Sequence, residues 1–233
     1  MLEMRDVRLR QGDFELRANW AIEAGARVSI IGPSGGGKST LLDVIGGFLT
    51  PSSGQVIMAG QDQRGVTPGE RPLSLLFQEN NLFPHLSIFD NVALGLDPSL
   101  RRARKRRTEI EAALAETGLA GLSLRRPDAL SGGQRQRAAL ARTLLRKRPI
   151  LALDEPFAAL GPALRAEMLE LVTSLADRHE TTVLMVSHSP EDAKALGGAL
   201  IFVEDGLAHP PLPMETALGN PTKGLRAYLG QIP

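Results

Sequence analysis

The 233-residue sequence contains no cysteine. Disulfides and thiolate metal sites are excluded, a usage that suits a reducing compartment. It contains no apolar run near the roughly 20 residues that a spanning helix needs, so the chain is not expected to cross a bilayer by itself. It has almost no net charge: 27 basic side chains face 26 acidic ones. Overall electrostatics therefore points to no nucleic-acid partner. The opening "MLEMRDVRLRQGDFEL" is charged throughout and does not read as a signal peptide. No internal repeat is visible. What is present, 42% hydrophobic and 23% charged residues, is ordinary for a globular protein with a sizeable core.

Periodicity organises the chain. "LEMRDVRL", "FELRANWAI" and "QVIMAG" alternate apolar and polar positions and predict half-buried antiparallel strands. "ARVSIIG" predicts a strand, "KSTLLDVIGGFL" a helix, and "PLSLLFQ" another buried strand. From residue 80 to about 130 the pattern turns polar and helical, with "RTEIEAALAETGL" its clearest helix. Then come an apolar strand in "PILALDEP", a long amphipathic helix in "PALRAEMLELVTSLADRH", and a strand in "TTVLMVSHS". "DAKALGGALIFVEDGLA" predicts a short helix and a hairpin. Alternating strands and helices imply an α/β fold with a parallel sheet. Residues 80–148 read as a helical subdomain inserted into a core made of 1–79 and 149–233.

"GPSGGGKST" fits the spacing G-x-x-x-x-G-K-[ST], from Gly32 through Gly37 to Lys38 and Ser39. A strand precedes it and a helix follows, which is the context a phosphate loop requires. The backbone from Gly32 through Pro33, Ser34, Gly35, Gly36 and Gly37 to Thr40 can wrap phosphate oxygens with N–H groups. Lys38 is expected to reach the β- and γ-phosphates of a nucleotide, and the Ser39 hydroxyl to ligate Mg²⁺.

Asp154 closes an apolar strand, so it belongs at the carboxyl edge of the sheet, where ligands bind in such folds. Its expected task is holding Mg²⁺. Glu155 beside it is costly unless it has work, such as polarising the attacking water. The bland alternative is an acidic helix cap. His188 and Gln78 also follow apolar strands and would project toward the same edge. Gln78 could ligate Mg²⁺ and orient water without adding charge, whereas a lone histidine is more often structural.

"LSGGQ", residues 130–134, starts another helix with a Gly-Gly turn, and a helix start favours anions. Its place in the helical insertion puts it far from the phosphate loop. Two copies pairing head to tail would let Ser131, Gly132, Gly133 and Gln134 of one address the γ-phosphate held by the other, giving two shared sites.

The phosphate loop, the Gln78 strand end, LSGGQ, the Asp154–Glu155 pair and His188 occur in the order found in the ATP-binding subunits of ATP-binding cassette transporters. The chain resembles that family over essentially its whole length. The resemblance implies a P-loop ATPase core, an N-terminal antiparallel β subdomain and a helical subdomain. It also implies a homodimer that clamps two ATP molecules and drives transmembrane permease subunits, with the segment after Gln78 meeting a coupling helix. Such a protein sits peripherally on the cytoplasmic face of the cell membrane and is served indirectly by a periplasmic or extracellular solute-binding protein. "GGFLTPSSG" and "RPLSLLFQENNLFPHLSIFDNVALGL", with only about 45 residues after His188, are similar to the ATPase subunits of bacterial thiamine importers.

Two positions depart from the family pattern. Gly161 stands where the family most often has Asp, a residue that helps couple the two sites. Gln11 stands near the place of an adenine-stacking aromatic; Phe14 is close by, and Trp20 fits the buried alternation of its strand. The run "RRARKRRTE", residues 101–109, reads as a solvated face, with contact to anionic lipid headgroups as a second reading. Rival functions are a cassette ATPase not coupled to transport, an importer ATPase for iron, sulfate or polyamine, a P-loop kinase, and a noncatalytic ATP sensor. A kinase would need neither LSGGQ nor the Glu155 and His188 pair, and an intact Glu155 disfavours the sensor.

Overall fold

The computed structural model describes residues 1–77 and 81–230. The N-terminal alternation forms β1 (Leu2–Gln11) and β2 (Phe14–Ile22), an antiparallel hairpin whose last pair is Gln11 opposite Phe14. β3 (Arg27–Ile31) leads through the glycine-rich loop into α1 (Lys38–Gly46). β4 (Ser53–Met58) pairs antiparallel with β1, and the short β5 (Gln61–Asp62) extends that edge. β6 (Leu73–Leu76) follows.

The next stretch is helical: α2 (Ile88–Ala93), α3 (Leu100–Ala103), α4 (Arg107–Glu116) and α5 (Gly132–Leu144). The chain then alternates again through β7 (Ile150–Asp154), α6 (Pro162–Arg178), β8 (Thr182–Val186), α7 (Pro190–Leu196) and β9 (Ala199–Glu204). β10 (Leu207–Ala208) completes a hairpin with β9, and β11 (Leu212–Pro213) pairs back onto β9. Two short helices end the described chain, α8 (Met214–Gly219) and α9 (Lys223–Tyr228).

The strand order is β5-β4-β1-β2-β10-β9-β3-β8-β7-β6. The β9-β3-β8-β7-β6 part is parallel and the β1, β2, β4, β5 part antiparallel. Period-two alternation explains why the parallel strands read as continuous apolar runs. Ile150 and Ala152 of β7, with Leu184 and Val186 of β8, join the core that contains Trp20 and α1. Leu151, Leu153, Val183 and Met185 face the opposite core, shared with Met168, Val172 and Leu175 of α6. Both faces are covered, so neither needs polar residues. Trp20 is buried as its alternation predicts.

The helices between β6 and β7 have an apolar core of their own, built from Ile88, Val92, Ile110, Leu114, Ala138 and Ala141. The basic run lies along this unit. Arg102 pairs with Asp97, Arg104 with Asp90, Arg106 with Glu109 and Arg107 with Glu111, while Arg107 also lies over the Phe89 ring. That pattern is an ion-paired solvated face, the plainer of the two expectations.

Candidate active site

The site is made by register. Ile30 of β3 and Asp154 of β7 both lie opposite Val186 of β8. The loops that leave the carboxyl ends of these three strands therefore start side by side, at the edge where parallel α/β sheets bind ligands. From β3 comes the phosphate loop, from β7 the Asp154–Glu155 pair, and from β8 the turn that carries His188. A cleft of about 440 Å³ lies there, lined by Gln11, Phe14, Ser34, Gly35, Gly37, Lys38, Ser39, Thr40, Glu155 and His188.

Two glycines of the loop are dictated by neighbours. Gly32 has φ 153°, and a Cβ there would run into the Val203 carbonyl of β9. Gly37 has φ 108°, and a Cβ would stand 2.9 Å from the Phe14 ring. The first lets the loop cross the adjacent strand; the second lets β2 press its aromatic against the loop. The β9–β10 turn pins the loop from outside, as the Gly206 N–H donates to the Gly36 carbonyl at 3.0 Å.

Lys38 Nζ folds back on the loop and donates to the Gly32 and Pro33 carbonyls at 2.8 and 2.9 Å. Burial lowers its pKa, while Glu155 and Asp154 push it back up. Among the described residues its hydrogen bonds go to neutral carbonyls at the mouth of the loop, so incoming phosphate oxygens can compete for it.

Asp154 is the site's strained electrostatic element. Burial, then the Glu155 carboxylate, then Asp43 of α1 raise its pKa, against smaller opposing pulls from Lys38 and His188. Its Oδ1 is buried and has no hydrogen-bond partner among the described residues. A carboxylate oxygen left without a donor, among other acids, suits a hard divalent cation. Asp43 itself is pushed up by burial; sequence reading passed over it as one polar helix residue among others.

Glu155 takes φ 46°, a left-handed conformation that turns the chain out of β7. Its N–H donates to the Val186 carbonyl at 3.0 Å, and its Oε1 pairs with His188 Nε2. The His188 turn is held in several ways. Ser187 N–H donates to the Ile30 carbonyl at 3.1 Å, and Ser187 Oγ donates to Asp192 Oδ2 at 2.7 Å. Gln78 lies outside the described residues.

The LSGGQ segment stands apart from this cleft, whose lining contains none of its residues. Ser131 caps α5: its Oγ accepts the Gln134 N–H at 3.2 Å, while Gln134 Oε1 accepts the Ser131 N–H at 3.0 Å. The Gln134 side chain is thus committed to its own helix cap. Ser131 and Gly132 are exposed, whereas Gly133 is buried because a Cβ would meet Leu164 of α6 at 2.7 Å.

Sequence reading missed Gln136, one turn into α5. Its Nε2 donates to the Pro156 carbonyl at 2.5 Å, tying the helix after LSGGQ to the loop after Glu155. A buried polar residue on an otherwise apolar helix face was the available signal. It also missed Tyr228, whose hydroxyl donates to the His188 carbonyl at 2.8 Å.

Comparison with known proteins places the chain in a family. The family described as "ABC transporter" matches residues 16–158. A thiamine import ATP-binding protein from Cereibacter sphaeroides is 55% identical over 230 residues, covering 99% of this chain and all of the relative. One from Ruegeria sp. is 49% identical with the same coverage. Among solved structures, a dimeric ATP-binding cassette in a post-hydrolysis state bound to ADP and Pi is similar, with a TM-score of 0.77. It is 30% identical over 92% of this chain and 99% of that one. Family match, full-length relatives and fold agree, and the chain belongs to the ABC transporter family.

Proposed function

We propose that this protein is the ATP-hydrolysing subunit of an importer for thiamine, working as a homodimer beneath transmembrane permease subunits. The convergence of Lys38, Glu155 and His188 on one cleft carries the hydrolytic part of this reading. The solute is carried by full-length identity to thiamine import ATP-binding proteins.

In this reading the amides of residues 32–40 and the Lys38 ammonium bind the nucleotide phosphates. Ser39, Asp154 and Gln78 hold Mg²⁺, which when bound neutralises phosphate charge. Glu155 accepts a proton from the attacking water, and His188 holds Glu155 and meets the γ-phosphate. Phe14 packs on the base. Ser131, Gly132, Gly133 and Gln134 act on the ATP of the partner copy. Placed as it is on α5, that segment needs a second chain to reach a phosphate loop.

The membrane partner requires a docking surface. Phe48, Phe77 and Phe83 are exposed around the segment that contains Gln78, and Phe48 meets Phe77 edge-on at 5.9 Å. We assign this aromatic surface to the coupling helix of a permease subunit. Among the described residues no helix is long and apolar enough to cross a membrane, so attachment at the cytoplasmic face would run through those partners. A solute-binding protein would act on the permease from the other side. We divide the chain into a core of 1–79 with 149–233 and a helical subdomain of 80–148.

The test is to purify the protein from membranes with its bound partners, reconstitute the assembly in vesicles, and measure thiamine uptake. ATP-dependent uptake that is lost with Lys38→Ala is expected. Partners that are not membrane proteins would refute the transport reading, and uptake of a different solute would refute thiamine.

A further inference from the structure

The C-terminal helices do more than close the fold. α8 and α9 pack through Met214, Ala217 and Leu225 against Ile31, Leu200 and Phe202, directly below the start of the phosphate loop. Tyr228, the only tyrosine in the chain, ends α9. Its ring lies 5.9 Å from the Phe202 ring in a tilted arrangement. Its hydroxyl donates to the backbone carbonyl of His188 at 2.8 Å. Burial pushes the phenol pKa up, and the Gly32 backbone amide, acting on the same oxygen, pulls it partly back; Glu155 and Glu191 push it further up. One phenolic oxygen thus holds the backbone of the residue that pairs with Glu155.

We propose that Tyr228 is a positioning residue for hydrolysis: its hydroxyl ties the His188 backbone to α9, which is packed beneath β3 and β9, and so sets the His188 imidazole over the γ-phosphate site. This rests on the reading of His188 as a residue that meets the γ-phosphate. The His188 side chain is 45% exposed and is held at its tip by Glu155, so its placement depends on that pair and on its backbone. Ser187 ties the amino side of the turn to Ile30, Asp192 and Ser189, while Tyr228 takes the His188 carbonyl itself. Losing the Tyr228 contact should loosen the backbone behind the imidazole without opening the phosphate loop, because Lys38 and Gly206 hold that loop independently. The expected signature is a loss in turnover rather than in ATP binding.

The experiment compares His188→Ala, Tyr228→Phe and the double variant in steady-state ATP hydrolysis by the assembled transporter. Phe keeps the ring against Phe202 and Leu225, and thermal melting checks that the fold is retained. Tyr228→Phe should lower kcat about 2- to 10-fold, the rate factor that one hydrogen bond carries, with KM for ATP changed by less than about twofold. In the His188→Ala background it should have no further effect. Unchanged kcat in Tyr228→Phe, or an equal loss in both backgrounds, overturns the proposal. If His188→Ala keeps full turnover, the reading of His188 fails and the proposal with it. If His188→Ala loses turnover and Tyr228→Phe does not, only the proposal fails.

A second measurement keeps both the ring and its hydroxyl. Because the chain has one tyrosine, biosynthetic replacement by 3,5-difluorotyrosine changes one hydroxyl per protomer and makes it more acidic. The alkaline limb of kcat should then move to lower pH, where the phenolate can no longer donate to the His188 carbonyl. An alkaline limb that stays in place would overturn the assignment.

Discussion

His188 Nε2 and Glu155 Oε1 are in direct contact across the ends of β8 and β7, although 33 positions separate them in the chain. The pairing gives Glu155 a fixed orientation before any substrate arrives.

Replacing Glu155 by Gln should therefore spare ATP binding and remove turnover. A positioned general base contributes about 10²- to 10⁴-fold, and kcat should fall by that range. With ATP and Mg²⁺ the variant should accumulate as a dimer in size-exclusion chromatography. A variant that turns over normally, or stays monomeric at high concentration, would remove Glu155 from its assigned role.

Phe14 should carry much of the affinity for the base. Base–aromatic stacking is worth about 1–3 kcal/mol, so Phe14→Ala should weaken ATP binding roughly 5- to 150-fold. A ring stacks on any purine, and Gln11 is the polar side chain paired with Phe14 across the hairpin. GTP should then compete within about tenfold of ATP in the natural protein. Isothermal titration with both nucleotides decides this, and a strong ATP preference would mean that the base edge is read by other groups.

The nucleotide-free protein should be destabilised by Asp154, the carboxylate we propose to hold Mg²⁺. The Asp154 pKa lies above the usual 3.8 because burial and then Glu155 oppose its charge. The folded state therefore keeps this proton in a window where the unfolded chain has released it. The contribution to stability falls as pH rises from about 3.9 through the raised folded value, and the penalty is fully present above it. Asp154→Asn, measured without nucleotide and with a chelator, should melt higher at neutral pH. Each kcal/mol is worth about 2–4 °C in a chain of this size. The gain should vanish at acid pH, and Mg²⁺-dependent hydrolysis should be lost. Equal melting temperatures at neutral pH would show that Asp154 is relieved in some other way.

Gly161 is the N-cap of α6, with φ −65° and ψ 159°, and a Cβ there would meet nothing within 4 Å. Nothing in that conformation requires glycine. Gly161→Asp should be accommodated and should cap the helix, worth a few tenths of a kcal/mol over glycine. A carboxylate restored at this loop should raise the Hill coefficient of ATP hydrolysis in the assembled transporter and lower solute-independent turnover. Identical coefficients and basal rates would show that coupling runs through the loop backbone alone.

Local chemistry made much of this protein legible from sequence. The phosphate loop could be read because glycine spacing, a lysine and flanking periodicities are properties of neighbouring residues. The same holds for β7 ending in Asp154–Glu155 and for the buried alternation of Trp20. Other features were settled by tertiary structure, since they depend on residues far apart in the chain. Register across β3, β8 and β7 joins Lys38, Glu155 and His188 at one edge. The Val203 backbone leaves no room for a side chain at Gly32, and the Leu164 side chain packs close over Gly133. Gln134 reads as a phosphate contact in the motif, yet its side chain closes its own helix cap. Tyr228 carries no motif at all, and only the packing of α9 beneath β3 and β9 brings its hydroxyl to the His188 backbone. A hydrogen bond between residues 40 positions apart leaves no period or spacing to read, because the sheet that brings them together is itself a product of the whole fold.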